Sequence, residues 1–139
     1  MTDRIEAGRQ VVREMLGEKF LSAMDAQVAA GGFGSAAAKL ALGSAFGDVW
    51  ARPGLDRKSR SLVTMGILIT LQAPAEFRNH VRAALANGCS ATEIEEAIIQ
   101  AIPYAGFVAV SIALSAAAEV LREKGLLGAG GSAEEHGMR

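Results

Sequence analysis

Glu76 and His80 stand four residues apart, just after the break at Ala73-Pro74. On a helix that spacing sets a carboxylate one turn before an imidazole, within side-chain reach. Such a pair can handle protons. An imidazole titrates near neutrality and can act as a general acid. The carboxylate can orient the ring and keep it protonated, or donate the proton itself if burial raises its pKa. Each residue also has a plainer reading. His80 can be a polar residue at a helix edge, and a glutamate in a first turn is favoured by the helix dipole alone. Competing chemistries are few. Cys89 is the single cysteine, so there is no intrachain disulfide, which fits a reducing compartment. Together with two histidines it cannot build an all-Cys/His structural zinc site. Met15, Met24 and Met65 read as core rather than as a sulfur site.

The elements that must position the pair read as helices. Alanine is abundant, β-branched residues rarely alternate, and Gly, Ser, Asp and Pro punctuate the chain at helical intervals. A first helix spans 3–15 with Ile5, Val12 and Leu16 on one face, stopped at Gly17. A second spans 18–29 with Phe20, Leu21, Met24 and Val28 inward. A third, 35–46, is alanine-rich, so a partner helix can come close. Residues 47–56 read as a loop with a Pro53-Gly54 turn, and Asp56 as the cap of a central helix. From Leu62 to Leu71 that helix is apolar around most of its circumference, which predicts burial on all sides. Pro74 suits the first turn of the next helix. There Phe77, Val81, Ala84 and Leu85 form the core stripe, with Ala73, Glu76 and His80 along its edge. Asn87-Gly88 ends it. Ser90 to Glu93 is a capping box, Ile94, Ala97, Ile98 and Ala101 face inward, and Pro103 must kink or stop that helix. The last helix, 107–121, carries small residues for close packing.

The composition sets the limits. Of 139 residues, 50% are hydrophobic and 21% charged, which fits one well-cored domain over 1–125 and a flexible, glycine-rich tail over 126–139. A large apolar surplus can also be buried between subunits. The formal net charge is −1, with no basic excess, which argues against nucleic acid as a partner. The longest apolar run, Leu62 to Leu71, is far shorter than the roughly 20 residues of a membrane-spanning helix. The first ten residues hold no apolar signal core. The expectation is a cytoplasmic protein without membrane contact.

Three separated segments together resemble the carboxymuconolactone decarboxylase family: Phe46 to Asp56 with Arg60, Glu76 to Gly88, and Glu93 to Gly106, which ends Tyr104-Ala105-Gly106. The resemblance covers roughly residues 5–125 and rests on the order and spacing of the three. It implies an all-α, single-domain helical bundle of the alkylhydroperoxidase-D-like type, assembled as a homo-oligomer, a hexamer or a trimer. One branch of the family works with a C-x-x-C-x-x-x-H dithiol. Its cysteine positions fall on Ala73 and Glu76 here, its histidine on His80, and an assisting glutamate on Ser61. Without the thiols that peroxidase chemistry is excluded. The decarboxylase branch lacks the cysteines and keeps the histidine. Pro103, where the family more often has an aliphatic residue, and Val108, where it often has proline, depart from the pattern.

The decarboxylase branch implies a small anionic substrate, 4-carboxymuconolactone, on the protocatechuate route of aromatic breakdown. Loss of CO2 pushes electrons through a double bond onto the lactone carbonyl. The substrate is its own electron sink, so no cofactor and no metal is implied. His80 is then the general acid or the group that stabilises the enolate, with Glu76 beside it. Arg52 and Arg60 are candidates to hold carboxylates, because guanidinium matches them bidentately. Arg60 can instead pair with Asp56 at a solvated helix start. Trp50 can wall the pocket or anchor a subunit contact. Tyr104 can donate to the lactone oxygen or fill the space left by the Pro103 kink. The same scaffold also fits another unsaturated acid or lactone, or a binding and assembly protein that lost the chemistry.

Overall fold

The computed structural model describes residues 3–128. Of the tail expected over 126–139, residues 129–139 lie outside the described residues. The protein is all-α, with no strand among the described residues. It divides into two compact units, Met1–Arg57 and Lys58–Arg139.

The first unit holds α1 (Asp3–Leu16), α2 (Glu18–Ala30), α3 (Ser35–Leu40) and a π-helical segment, Ala41–Trp50. Val12, Leu21 and Leu42 form its core, flanked by Ile5, Leu16, Phe20, Met24, Val28 and Phe46. The most buried face of α1 is Gly8, Val11, Val12 and Met15, so Ile5 and Leu16 mark its edges rather than its centre. Ion pairs brace the outside: Arg9 grips both oxygens of Asp25 at 2.7 and 3.1 Å, and Arg4 pairs with Asp48.

Two glycines set the closest approach in this unit. A Cβ at Gly8 would lie 1.8 Å from the carbonyl oxygen of Leu42, and one at Gly47 would lie 2.0 Å from that of Arg4. α1 and the π-helical segment therefore touch backbone to backbone, as only glycine permits. Here the structure corrects the sequence. Gly47 does not open a loop. The helix expected to end at Phe46 changes to π geometry at Ala41 and runs on to Trp50. Gly47 is kept inside it because α1 fills the place of its side chain.

The second unit is built from α4 (Arg57–Leu71), α5 (Pro74–Ala86), α6 (Ala91–Gln100), α7 (Ile102–Ala105) and α8 (Phe107–Glu123). Met65, Ile69, Phe77, Val81, Ile94, Ile98, Val110 and Val120 are the larger members of its core. α8 packs chiefly on α5 and then on α6. Its alanines at 109, 113, 116 and 117 are buried, which lets α5 come close. The capping box at Ser90 and Glu93 starts α6, with hydrogen bonds of 2.9 and 3.0 Å. Pro103 forces the break expected of it: α6 stops at Gln100 and α7 restarts with the proline in its first turn.

α4 departs from expectation. Ser61, Met65 and Ile69 are buried, but Val63, Ile67 and Leu71 are 57%, 56% and 67% exposed. One stripe of the apolar helix meets the core of its unit and the opposite stripe is bare. Apolar composition predicts burial, and it does not say that the burying surface lies in the same chain.

Candidate active site

The corner between α4 and α5 places the acid and the imidazole. The N–H of Gln72 donates to Ile69 O at 3.1 Å and the N–H of Ala73 to Leu68 O at 3.3 Å, which closes α4. Gln72 does this in the left-handed region, φ 52°, the only such non-glycine among the described residues. Pro74 then opens α5, with no N–H to leave unsatisfied. The N–H of Phe77 donates to Ala73 O at 2.8 Å, so α5 is regular from its first turn. Beneath the corner Leu68, Ile69, Phe77 and Ala113 close up without room for a water.

Glu76 projects from that first turn and is exposed. His80, one turn on, is half-buried beside Phe77 and Val81, which are fully in the core. Its Nδ1 is buried and makes no hydrogen bond among the described residues, while the ring feels the charge of Glu76. Burial lowers the His80 pKa below its ordinary value and the Glu76 carboxylate pushes it back up. The imidazolium is thus disfavoured by its surroundings and favoured by one neighbouring anion. A second anion brought to the ring would favour it further.

The other polar residues of α5 are engaged in structure. Arg82 holds both oxygens of Glu123 at 2.9 and 3.0 Å and the Asn79 oxygen at 3.1 Å, and Arg78 reaches Glu119 at 3.5 Å. These pairs clamp α5 on α8. At the far end Asn87 Nδ2 donates to Ser61 Oγ at 3.0 Å. Ser61 is fully buried, and this bond ties α4 to the end of α5. In the sequence Asn87 signals only a helix stop, and Ser61 follows Arg57, Lys58, Ser59 and Arg60, so no local signal marks it as buried or names its partner.

Arg60 is half-buried in the early turns of α4, where its carbonyl accepts from Thr64 Oγ1 at 2.8 Å. Tyr104 is 84% exposed on α7, so it does not fill a hole left by Pro103. It borders a groove of about 580 Å³ with Leu62, Gly66, Thr70, Glu96 and Gln100, and neither Glu76 nor His80 lines that groove. Trp50 and Arg52 belong to the first unit. Trp50 is half-buried at the last residue of the π-helical segment, and Arg52 is exposed in the turn that follows, its N–H donating to Val49 O at 3.1 Å. Glu76 and His80 are therefore the pair that local structure brings together.

Cys89 is buried, with Sγ 3.9 Å from the Lys58 carbonyl, and the chain has no second thiol. Among the described residues no three of His, Cys, Asp and Glu converge on a common point, and no helix is long and apolar enough to cross a membrane.

The sequence profile of the carboxymuconolactone decarboxylase family matches residues 35–119. The chain is 43% identical over 82 residues to a 4-carboxymuconolactone decarboxylase of Acinetobacter baylyi, which covers 59% of this chain and 61% of the relative. It is 50% identical over 62 residues to a nitrosuccinic acid decarboxylase of Metarhizium robertsii, 45% of this chain and 43% of that protein. An uncharacterised protein of Paracoccus denitrificans is 41% identical over 81 residues, 57% of this chain and 60% of its own. The chain spans less than two thirds of the length of each of these relatives.

Proposed function

The chain belongs to the carboxymuconolactone decarboxylase family, and from that premise we propose that it is a cofactor-independent carboxy-lyase that converts 4-carboxymuconolactone to the 3-oxoadipate enol-lactone. The observation that carries this reading is the thiol-free pair Glu76 and His80 on one face of α5, with the imidazole half-buried and the carboxylate exposed beside it. The C–CO2 bond breaks and leaves its electron pair on the ring carbon. The pair drains through the double bond onto the lactone carbonyl, and a proton then returns to carbon. His80 and Glu76 are the groups for that proton. The dianionic substrate beside the ring offsets the burial that disfavours imidazolium, so binding itself loads the donor. Arg60, in the same unit as the pair, is assigned to a substrate carboxylate. The protein works as a cytoplasmic homo-oligomer, a hexamer or trimer, in protocatechuate breakdown.

A second reading has support of its own. The substrates in the names of the two decarboxylase relatives share a core. Each is a succinate whose departing carboxylate sits on a saturated carbon attached to an electron sink, a conjugated lactone in one and a nitro group in the other. Each keeps its second carboxylate one methylene away. A site that grips that carboxylate and returns a proton to a carbon of the delocalised anion, alpha to the lactone carbonyl in one case and to the nitro group in the other, serves both. The substrate here is then another acceptor-substituted succinate, or another unsaturated acid or lactone.

The experiment is direct. The purified full chain is incubated with 4-carboxymuconolactone and with nitrosuccinate, and CO2, enol-lactone and 3-nitropropanoate are followed. In D2O one deuterium enters the ring carbon next to the lactone carbonyl of the enol-lactone, and the nitro-bearing carbon of 3-nitropropanoate. His80→Ala lowers kcat by at least about 100-fold, the usual contribution of a positioned acid, while the circular dichroism spectrum is retained. No turnover of either compound refutes the activity. Undiminished turnover in His80→Ala refutes the role of His80.

A further inference from the structure

The middle of α4 carries a glycine that its own chain does not use. Gly66 is helical, has no left-handed backbone, and a Cβ built there meets nothing within 4 Å. Glycine weakens a helix interior, so its presence there calls for a physical reason. Gly8 and Gly47 have one: each admits the backbone of a crossing helix. Gly66 has the same local form and no crossing helix against it.

Its surroundings are those of an uncovered contact. No charged residue occurs from Leu62 to Leu71. One groove runs from Gly66 past Val63, Ile67 and Leu71, and another runs from it towards Ala101 and Tyr104. The exposed stripe of α4 and Tyr104 leave on the order of 500 Å² of apolar surface bare, near the upper end for a monomer and more than half of the roughly 800 Å² that each partner gives to a stable interface.

We propose that α4 crosses the α4 of a second copy at Gly66, in a two-fold contact with Val63, Ile67 and Leu71 packed around the crossing and Tyr104 at its rim. The α4 stripe is uncharged with a notch at its centre, and Glu93 and Glu96 line the groove on its Tyr104 side; a two-fold axis through Gly66 lays notch on notch and lets the two backbones touch. The first unit already shows this kind of contact, where glycine on each helix faces a carbonyl of the other. The inference rests on the reading of the chain as a homo-oligomer and names the surface that makes it.

Sedimentation velocity of the full chain over a concentration series tests it, with Gly66→Leu and with Gly66→Cys in a Cys89→Ser background. Gly66→Leu keeps the wild-type circular dichroism spectrum, since nothing in the chain occupies the space, and raises the dissociation constant of self-association at least tenfold. Gly66→Cys forms a disulfide-linked dimer on mild oxidation, because residues at a two-fold crossing come within disulfide reach. If Gly66→Leu fails to fold, the cross-link decides. Unchanged assembly in folded Gly66→Leu, or no cross-link in an assembled Gly66→Cys protein, overturns the α4 contact and leaves the oligomer standing on another face. A wild-type chain that stays monomeric at every concentration overturns both.

Discussion

Substituting alanine for Gly8 adds one carbon where no space exists. The new Cβ would lie 1.8 Å from Leu42 O, whereas a carbon and a carbonyl oxygen in close contact are about 3.3 Å apart. α1 and the π-helical segment must therefore separate by about 1.5 Å, and the three nearest obstacles, Leu42 O, Leu42 C at 2.8 Å and Gly47 N at 3.0 Å, are backbone that cannot rotate away. Overpacking of this kind costs about 1–3 kcal/mol even where side chains can yield. The gap opened between Val12 and Leu42 forfeits dispersion contacts as well. Alanine returns about 1 kcal/mol of helix propensity. The net expectation is a loss of about 2–4 kcal/mol, a large share of the 5–15 kcal/mol that holds a domain together. Gly47→Ala should behave alike, with its Cβ 2.0 Å from Arg4 O. Gly43→Ala is the control. Its Cβ meets only the Ile5 and Arg4 side chains, at 3.4 and 3.6 Å, so it should be neutral or slightly stabilising. Urea unfolding followed by circular dichroism, at fixed protein concentration, separates the three. With m about 2 kcal/mol/M, Gly8→Ala should lower the midpoint by about 1–2 M. A Gly8→Ala midpoint equal to that of Gly43→Ala would falsify the backbone-to-backbone crossing.

Glu76→Gln removes the charge that raises the His80 pKa and leaves burial, which lowers it. The imidazole should titrate at lower pH by NMR, with the acid-dependent limb of the rate profile following it; an unmoved or raised pKa contradicts the coupling. The stability effect has a fixed sign. The folded-state pKa of His80 lies below its unfolded value near 6.5, so the unfolded chain takes the proton first. Stability present above that pH is lost as pH falls through the folded pKa. His80→Asn should flatten that slope, and an identical slope in the variant shows that other groups produce it. Asn87→Ala takes the donor from the fully buried Ser61 hydroxyl and should cost about 1–3 kcal/mol. Adding Ser61→Ala should restore part of it, and strict additivity in that double-mutant cycle means the bond carries nothing. Gln72→Gly relieves a left-handed φ of 52° and should stabilise by about 1 kcal/mol. A loss instead shows that the Gln72 side chain holds the corner.

Much of the fold was legible because helix signals are local. Gly17, Pro74, Asn87-Gly88, the Ser90/Glu93 box and Pro103 set boundaries through their own backbone limits, and the structure keeps those boundaries to within a residue or two. Gly47 misled because a helical glycine is read as weakness unless the backbone it admits is known. That backbone belongs to Arg4, over forty residues away. Ser61 and Asn87 are likewise paired across 26 residues.

The sequence alone determined that this protein is helical, where its helices start and stop, and that an acid and an imidazole share one face of α5, since all of these follow from a period of 3.6 residues and from the limits of single residues. Only the tertiary structure decided how far His80 leaves water and so the direction of its pKa, which glycines are crossings, and which half of α4 goes uncovered. Those depend on what stands opposite each side chain, and neighbours distant in sequence are brought together only by folding.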